Sequence, residues 1–187
     1  MTDDFYNKKK PDGDEHNPMS EPRFTEIATF MRAPLVESLD EVDIGLIGVP
    51  TDLGVTNRPG ARHGPREIRN SSSLMRTFNL GMNINPYNLC RIADLGDVGF
   101  SHRYDLEKQV EEIEAFYQKV IEKNIFPISA GGDHSISYPI LRAIGKHEPV
   151  GMVHIDAHTD TWGEIWGSKF THGAPFKLAV EAGVLDP

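Results

Sequence analysis

The sequence predicts an α/β domain in three layers, with helices on both faces of a mostly parallel sheet. Two observations lead there. Short apolar runs of strand length alternate along the chain with longer stretches of helical periodicity. Two polar clusters, Gly131-Gly-Asp-His-Ser135 and Asp156-Ala-His-Thr-Asp160, each follow one of those apolar runs. Strand ends of this kind are where open α/β sheets build their sites.

The elements follow in order. Residues 1 to about 22 are charged, with prolines and few apolar side chains, and predict a polar arm. With the lead-in Phe24–Leu39 over the core, they make a first region, 1–38, ahead of the domain at 39–187. Asp43–Val49 is a short buried strand, and Pro50–Gly64 a Gly/Pro-bearing loop. Pro65 suits a helix start, where its missing N–H costs nothing. That helix would run to Phe78, with Ile68, Leu74, Met75 and Phe78 on one face. Arg91–Gly96 is the next strand. Leu106–Asn124 is the clearest amphipathic helix, its stripe formed by Val110, Ile113, Phe116, Tyr117, Val120 and Ile121. Then come strand Ile125–Ala130, helix Ile136–Ile144, strand Val150–Ile155 and helix Ala174–Ala182, with Gly183 as terminator.

Composition excludes several functions. The 187 residues suffice for one domain with a real core. Nineteen basic against 28 acidic residues give a formal charge of −9, which argues against a nucleic-acid or anionic-membrane partner. No apolar stretch reaches transmembrane length, and the N-terminus has no secretory apolar region. The single cysteine, Cys90, leaves no internal disulfide and fits a reducing, cytoplasmic location.

The chemistry lies in the two clusters. Asp156, His158 and Asp160 stand at i, i+2 and i+4, which in extended backbone puts all three on one side. Two carboxylates and an imidazole on a buried face are very costly unless a cation neutralises them. The competing reading is a solvated acidic turn, and the apolar strand running into the triplet argues against it. The glycines before Asp133 allow a sharp turn that presents His134 at the sheet edge, with Asp133 orienting a ligand or capping the following helix. His172, before Gly173 at a loop end, is a candidate proton shuttle, since histidine side chains titrate near neutrality. Without its context it reads as a surface histidine. Trp162 and Trp166 could face a cationic substrate or simply anchor their loop. His154 shares the parity of Asp156 and could be a partner to it, but is expected as a satisfied core histidine with no site role.

These residues resemble the ureohydrolase family of arginases, agmatinases and guanidinobutyrases. The resemblance runs from about Asp43 onward, through Gly60-Ala-Arg-His-Gly-Pro-Arg-Glu-Ile68, Gly131–Ser135, Asp156–Asp160 and His172-Gly173. It implies an arginase-like αβα fold and two divalent ions, manganese first and nickel second. His134 and Asp160 would hold one ion, His158 the other, and Asp156 would bridge. Water activated by the ions would attack a guanidinium carbon, releasing urea and an amine, with Asp160 or His172 carrying the proton. It also implies a homo-oligomer, trimer or hexamer.

The family's site further uses an Asp-x-Asp pair and a guanidinium-contacting Glu from its second half. This chain reaches Pro187 before either, so it corresponds to the N-terminal part, a little over half, and its fold is expected to be incomplete at the C-terminal end. The loop after Asp160 carries Trp162 and Trp166 where arginases present asparagine and serine. That turns the expected substrate from arginine toward agmatine, guanidinobutyrate, related guanidino acids or guanidine. Two alternatives stand beside this reading: a formimino-group hydrolase of the same fold, and a truncated, non-catalytic subunit.

Overall fold

The computed structural model describes residues 21–187, so most of the expected arm lies outside the described residues. Among these residues three parallel strands form the sheet: β1 (Ile44–Val49), β2 (Ile92–Asp97) and β3 (Phe126–Gly131), in the order β2-β1-β3. β1 is central, and its nearly unbroken apolar run suits a strand covered on both faces.

Alternation along β1 sorts the layers. Leu46 points into a cluster with Phe30, Ala33 and Tyr87. That face is covered by the lead-in and by α1 (Gly64–Ser72), whose Arg69 stands 4.0 Å over the Phe30 ring. Ile47 and Val49 point the other way, into the main core with Ile113, Tyr117, Val120, Ile125 and Ile136. That face is covered by α2 (Leu106–Glu122) and α3 (Ser137–Ile144). The result is the three-layer arrangement. A smaller cluster of Phe176, Ala179, Val184 and Leu185 packs α4 (Pro175–Glu181) against Tyr138 and Leu141 of α3.

Local chemistry sets the ends. Asp105 caps α2 by accepting a hydrogen bond from the Lys108 N–H at 3.1 Å. Asn124, just past the helix, has left-handed backbone. A buried carboxylate ties lead-in, α1 and β2 together. Asp94 is fully buried and accepts from Arg69 Nε at 2.8 Å, Arg69 Nη2 at 3.0 Å, the Phe30 N–H at 2.9 Å and the Gly96 N–H at 2.9 Å. Such saturation is what makes a buried charge tolerable.

Two expectations are corrected. The first helix ends at Ser72, not Phe78. Ser72 and Ser73 turn their hydroxyls back onto the carbonyls of Arg69 and Asn70, a bond that competes with helix continuation. Ile68, Leu74 and Met75, expected on its apolar face, are exposed. Among the described residues, the run Val150–Ile155 joins no ladder. It makes one isolated bridge, Val150 with Leu185, and leaves Val153 and Ile155 at 90% and 93% exposure. An apolar run favours extended backbone, but a strand also needs a neighbour for its amides and carbonyls. Among the described residues only the Val184–Asp186 segment supplies one, at Val150 alone.

Candidate metal centre

The first wall of the site is the turn after β3. Gly132 has φ +60°, and an added Cβ would stand 2.4 Å from the Val49 carbonyl and 2.7 Å from that of Thr51. Only glycine fits there. Asp133 is buried and locks the turn. Its N–H donates to the Thr51 carbonyl at 2.9 Å, and its carboxylate accepts from the Ser135 N–H at 2.7 Å and the Gly54 N–H at 2.8 Å. Asp133 therefore acts as the cap of the turn His134–Ile136 leading into α3, one of its two expected roles.

That turn aims His134 at the second wall. Its Nδ1 hydrogen-bonds the Asp160 carboxylate and lies 3.7 Å from Asp156 Oδ2. Asp160 is buried, with left-handed backbone, and its carbonyl accepts from the Phe176 N–H at the start of α4 at 3.3 Å. Asp156 Oδ1 accepts from the His158 N–H at 3.0 Å. That amide first, then the Ala157 amide and the imidazoles of His134 and His154, hold the Asp156 carboxyl below the usual carboxylate range against the opposing effect of burial. Asp156 is thus presented ionised.

The backbone bends at Asp156–His158, so the three residues of the triplet do not share one side. Asp156 and Asp160 converge on His134. The His158 side chain is 81% exposed, its Nδ1 3.7 Å from Asp156 Oδ1. The fourth member of the group is His154, which sequence reasoning left without a site role. Ligand atoms of His134, His154, Asp156 and Asp160 all lie within 4.8 Å of one another. The parity His154 shares with Asp156 was the available signal.

The donor set fits a divalent cation. Two imidazoles beside two carboxylates match the mixed nitrogen and oxygen preference of borderline divalent metals. The His154 Nε2 is buried without a hydrogen-bond partner among the described residues, which in a folded protein calls for a cause.

The other expected residues sit around this group. The His172 N–H donates to the Gly54 carbonyl at 3.0 Å, and its Nε2 pairs with Thr56 Oγ1 at 3.1 Å. Since Gly54 also donates to Asp133, one short loop after β1 holds both the His134 turn and His172. The Trp162 N–H donates to the Gly173 carbonyl at 2.8 Å, placing its exposed ring beside that glycine. Trp166 is exposed in the tight turn between Ile165 and Ser168.

The sequence model of the arginase family matches residues 42–187. The chain belongs to the arginase family. Among curated members, guanidinopropionase of Pseudomonas aeruginosa is 50% identical over 167 residues, covering 89% of this chain and 52% of that protein. The mitochondrial guanidino acid hydrolase of Homo sapiens is 44% identical over 161 residues, covering 86% and 46%. The chain therefore spans about half the length of the curated relatives it matches. Among solved structures, the proclavaminate amidino hydrolase from Streptomyces clavuligerus superposes with a TM-score of 0.85 at 33% identity, over 89% of this chain and 56% of that one. The parallel sheet and its two helical layers are thus the N-terminal part of the arginase fold. No helix among the described residues is long and apolar enough to cross a membrane.

Proposed function

We propose that this protein is a metal-dependent amidinohydrolase that splits a guanidino compound into urea and an amine. The observation that carries this reading is the convergence of His134, Asp156 and Asp160 at the ends of two neighbouring segments of an arginase-family fold. His134, Asp156, His158 and Asp160 would hold two divalent ions, manganese first and nickel as the second choice. When bound, such ions acidify water and supply hydroxide near neutral pH.

The protein's own residues do the rest. The carboxylates of Asp156 and Asp160 concentrate negative charge where a guanidinium cation must sit. Addition of water across one C–N bond leaves an amine nitrogen that needs one proton, and Asp160 or His172 delivers it. The loop after β1 fixes His172 through Gly54 and Thr56, which suits a shuttle better than a free surface histidine. Trp162 and Trp166 would pack against the cationic substrate. The names guanidinopropionase and guanidinobutyrase, borne by relatives at 50% and 44% identity, favour an ω-guanidino acid over arginine. The family resemblance further favours a trimer or hexamer, and the lone Cys90 a cytoplasmic location.

The test is urea release from guanidinopropionate, guanidinobutyrate, agmatine and a formimino compound, after loading separately with manganese and nickel. Metal content is measured in parallel by elemental analysis. About two ions per chain with urea release support the reading. His134→Ala and Asp156→Ala should abolish release, and wild-type rates in either would sink the assignment.

A further inference from the structure

We propose that His154 is a positioning residue for Asp156, its Nε2–H orienting the carboxylate that the site offers to a cation. This rests on the metal-dependent reading above but assigns a role to a residue outside the ligand set proposed there.

Placement comes first. His154 lies two residues before Asp156, and its Nε2 stands 3.6 Å from Asp156 Oδ2. The atom is buried and has no hydrogen-bond partner among the described residues, so this carboxylate oxygen is the acceptor within closest reach of its N–H. Facing a carboxylate, the nitrogen is assigned as the donor, since an unprotonated nitrogen there would set lone pair against lone pair.

The ring is also held in one orientation. Its centroid lies 4.5 Å from that of Phe176 at an interplanar angle of 63°, and 5.4 Å from that of His134. Phe176 meets the His134 ring edge-on at 5.3 Å and 86°, so one buried aromatic side chain braces both imidazoles. Phe176 is in turn joined through its N–H to the Asp160 carbonyl. The brace is therefore part of the same unit as the carboxylates it serves.

Asp156 needs such a hold. Its Oδ1 accepts from the His158 N–H at 3.0 Å, and its Oδ2 lies 3.7 Å from His134 Nδ1 and 3.6 Å from His154 Nε2. If His134 is committed to a cation, His154 is the side chain left beside Oδ2 to steady the carboxylate together with the backbone amides. Groups that orient a metal-binding side chain in this way commonly change metal affinity by about 10- to 100-fold.

The experiment is calorimetric titration of the metal-free protein with Mn²⁺. Three forms are compared: wild type, His154→Phe, which keeps the packing on Phe176 but has no donor, and His154→Gln, which keeps a donor. The expected result is a loss of about 10- to 100-fold in affinity for His154→Phe, with most of it recovered in His154→Gln. In an Asp156→Asn background, His154→Phe should cost little more, because the two act through one carboxylate. Thermal melting of the metal-free variants checks folding; if His154→Phe does not fold, near-wild-type affinity in His154→Gln together with the loss in His154→Asn carries the same contrast. Unchanged affinity in both variants overturns the positioning role and leaves the metal-dependent reading intact. Equal, unrescued loss in both also overturns it, by making the imidazole nitrogen itself a ligand. Failure of the wild-type protein to take up Mn²⁺ or Ni²⁺ would overturn both readings together.

Discussion

A Cβ added to Gly64, at the start of α1, would stand 2.6 Å from the carbonyl oxygen of Gly131, at the end of β3. The loop that opens the first helix is thus pressed against the strand end that presents His134. A flexible side chain could step aside, but this neighbour is backbone. Gly64→Ala should therefore destabilise the fold by about 1–3 kcal/mol and weaken metal uptake, because the displaced carbonyl belongs to the His134 turn. Urea unfolding reads the first effect and elemental analysis the second. A variant with the wild-type midpoint would show that the two loops can separate freely.

Ile47 and Ile155 both lie in apolar runs that sequence reasoning assigns to buried strands, yet their environments are opposite. Ile47 is completely buried and Ile155 is 93% exposed. Ile47→Ala should cost about 2–5 kcal/mol, and Ile155→Ala should change stability by less than about 0.5 kcal/mol. Comparable losses, measured by denaturant unfolding of this 187-residue chain, would mean that residues 150–155 pack into the core after all.

Asp52 gives the fold a specific acid sensitivity. The Arg62 side chain, helped by the N–H groups of Gly60 and Arg62, holds its carboxyl at about 2. A carboxyl depressed on folding stabilises fully above its unfolded value and loses that contribution as pH falls toward the folded one. This part of the stability should therefore be intact above about pH 4, the unfolded value for aspartate, and fade between there and about 2. Asp52→Asn should cost about 1–3 kcal/mol at neutral pH and progressively less in acid. Unfolding midpoints of the two proteins that stay equally far apart down to pH 2 would contradict the linkage.

Much of the site was legible in the residues, and the rest was hidden for a physical reason. Asp133 as a cap, the glycine turn and the convergence of His134 with Asp156 and Asp160 follow from side-chain chemistry at the ends of two apolar runs. His154 was not legible. Its parity pointed toward Asp156, but whether a histidine in an apolar run is a satisfied core residue or a site residue depends on what stands opposite its nitrogen. That neighbourhood is built by Phe176 and His134, about twenty residues away on either side. The exposure of His158 was equally hidden, because the i, i+2, i+4 rule assumes extended backbone, and the chain bends there.

By itself the sequence determined the order of elements from β1 to α3, the amphipathic stripe of α2 and the residue types able to hold a cation. Periodicity, capping and ligand chemistry are properties of neighbours along the chain. Tertiary structure alone decided the strand order β2-β1-β3, the burial of Asp94 under Arg69, the early end of α1 and the lack of a ladder along Val150–Ile155 beyond the single bridge at Val150 among the described residues. Each of these turns on a partner distant in sequence, because a hydrogen bond or a buried contact exists only when the fold brings the second group to it.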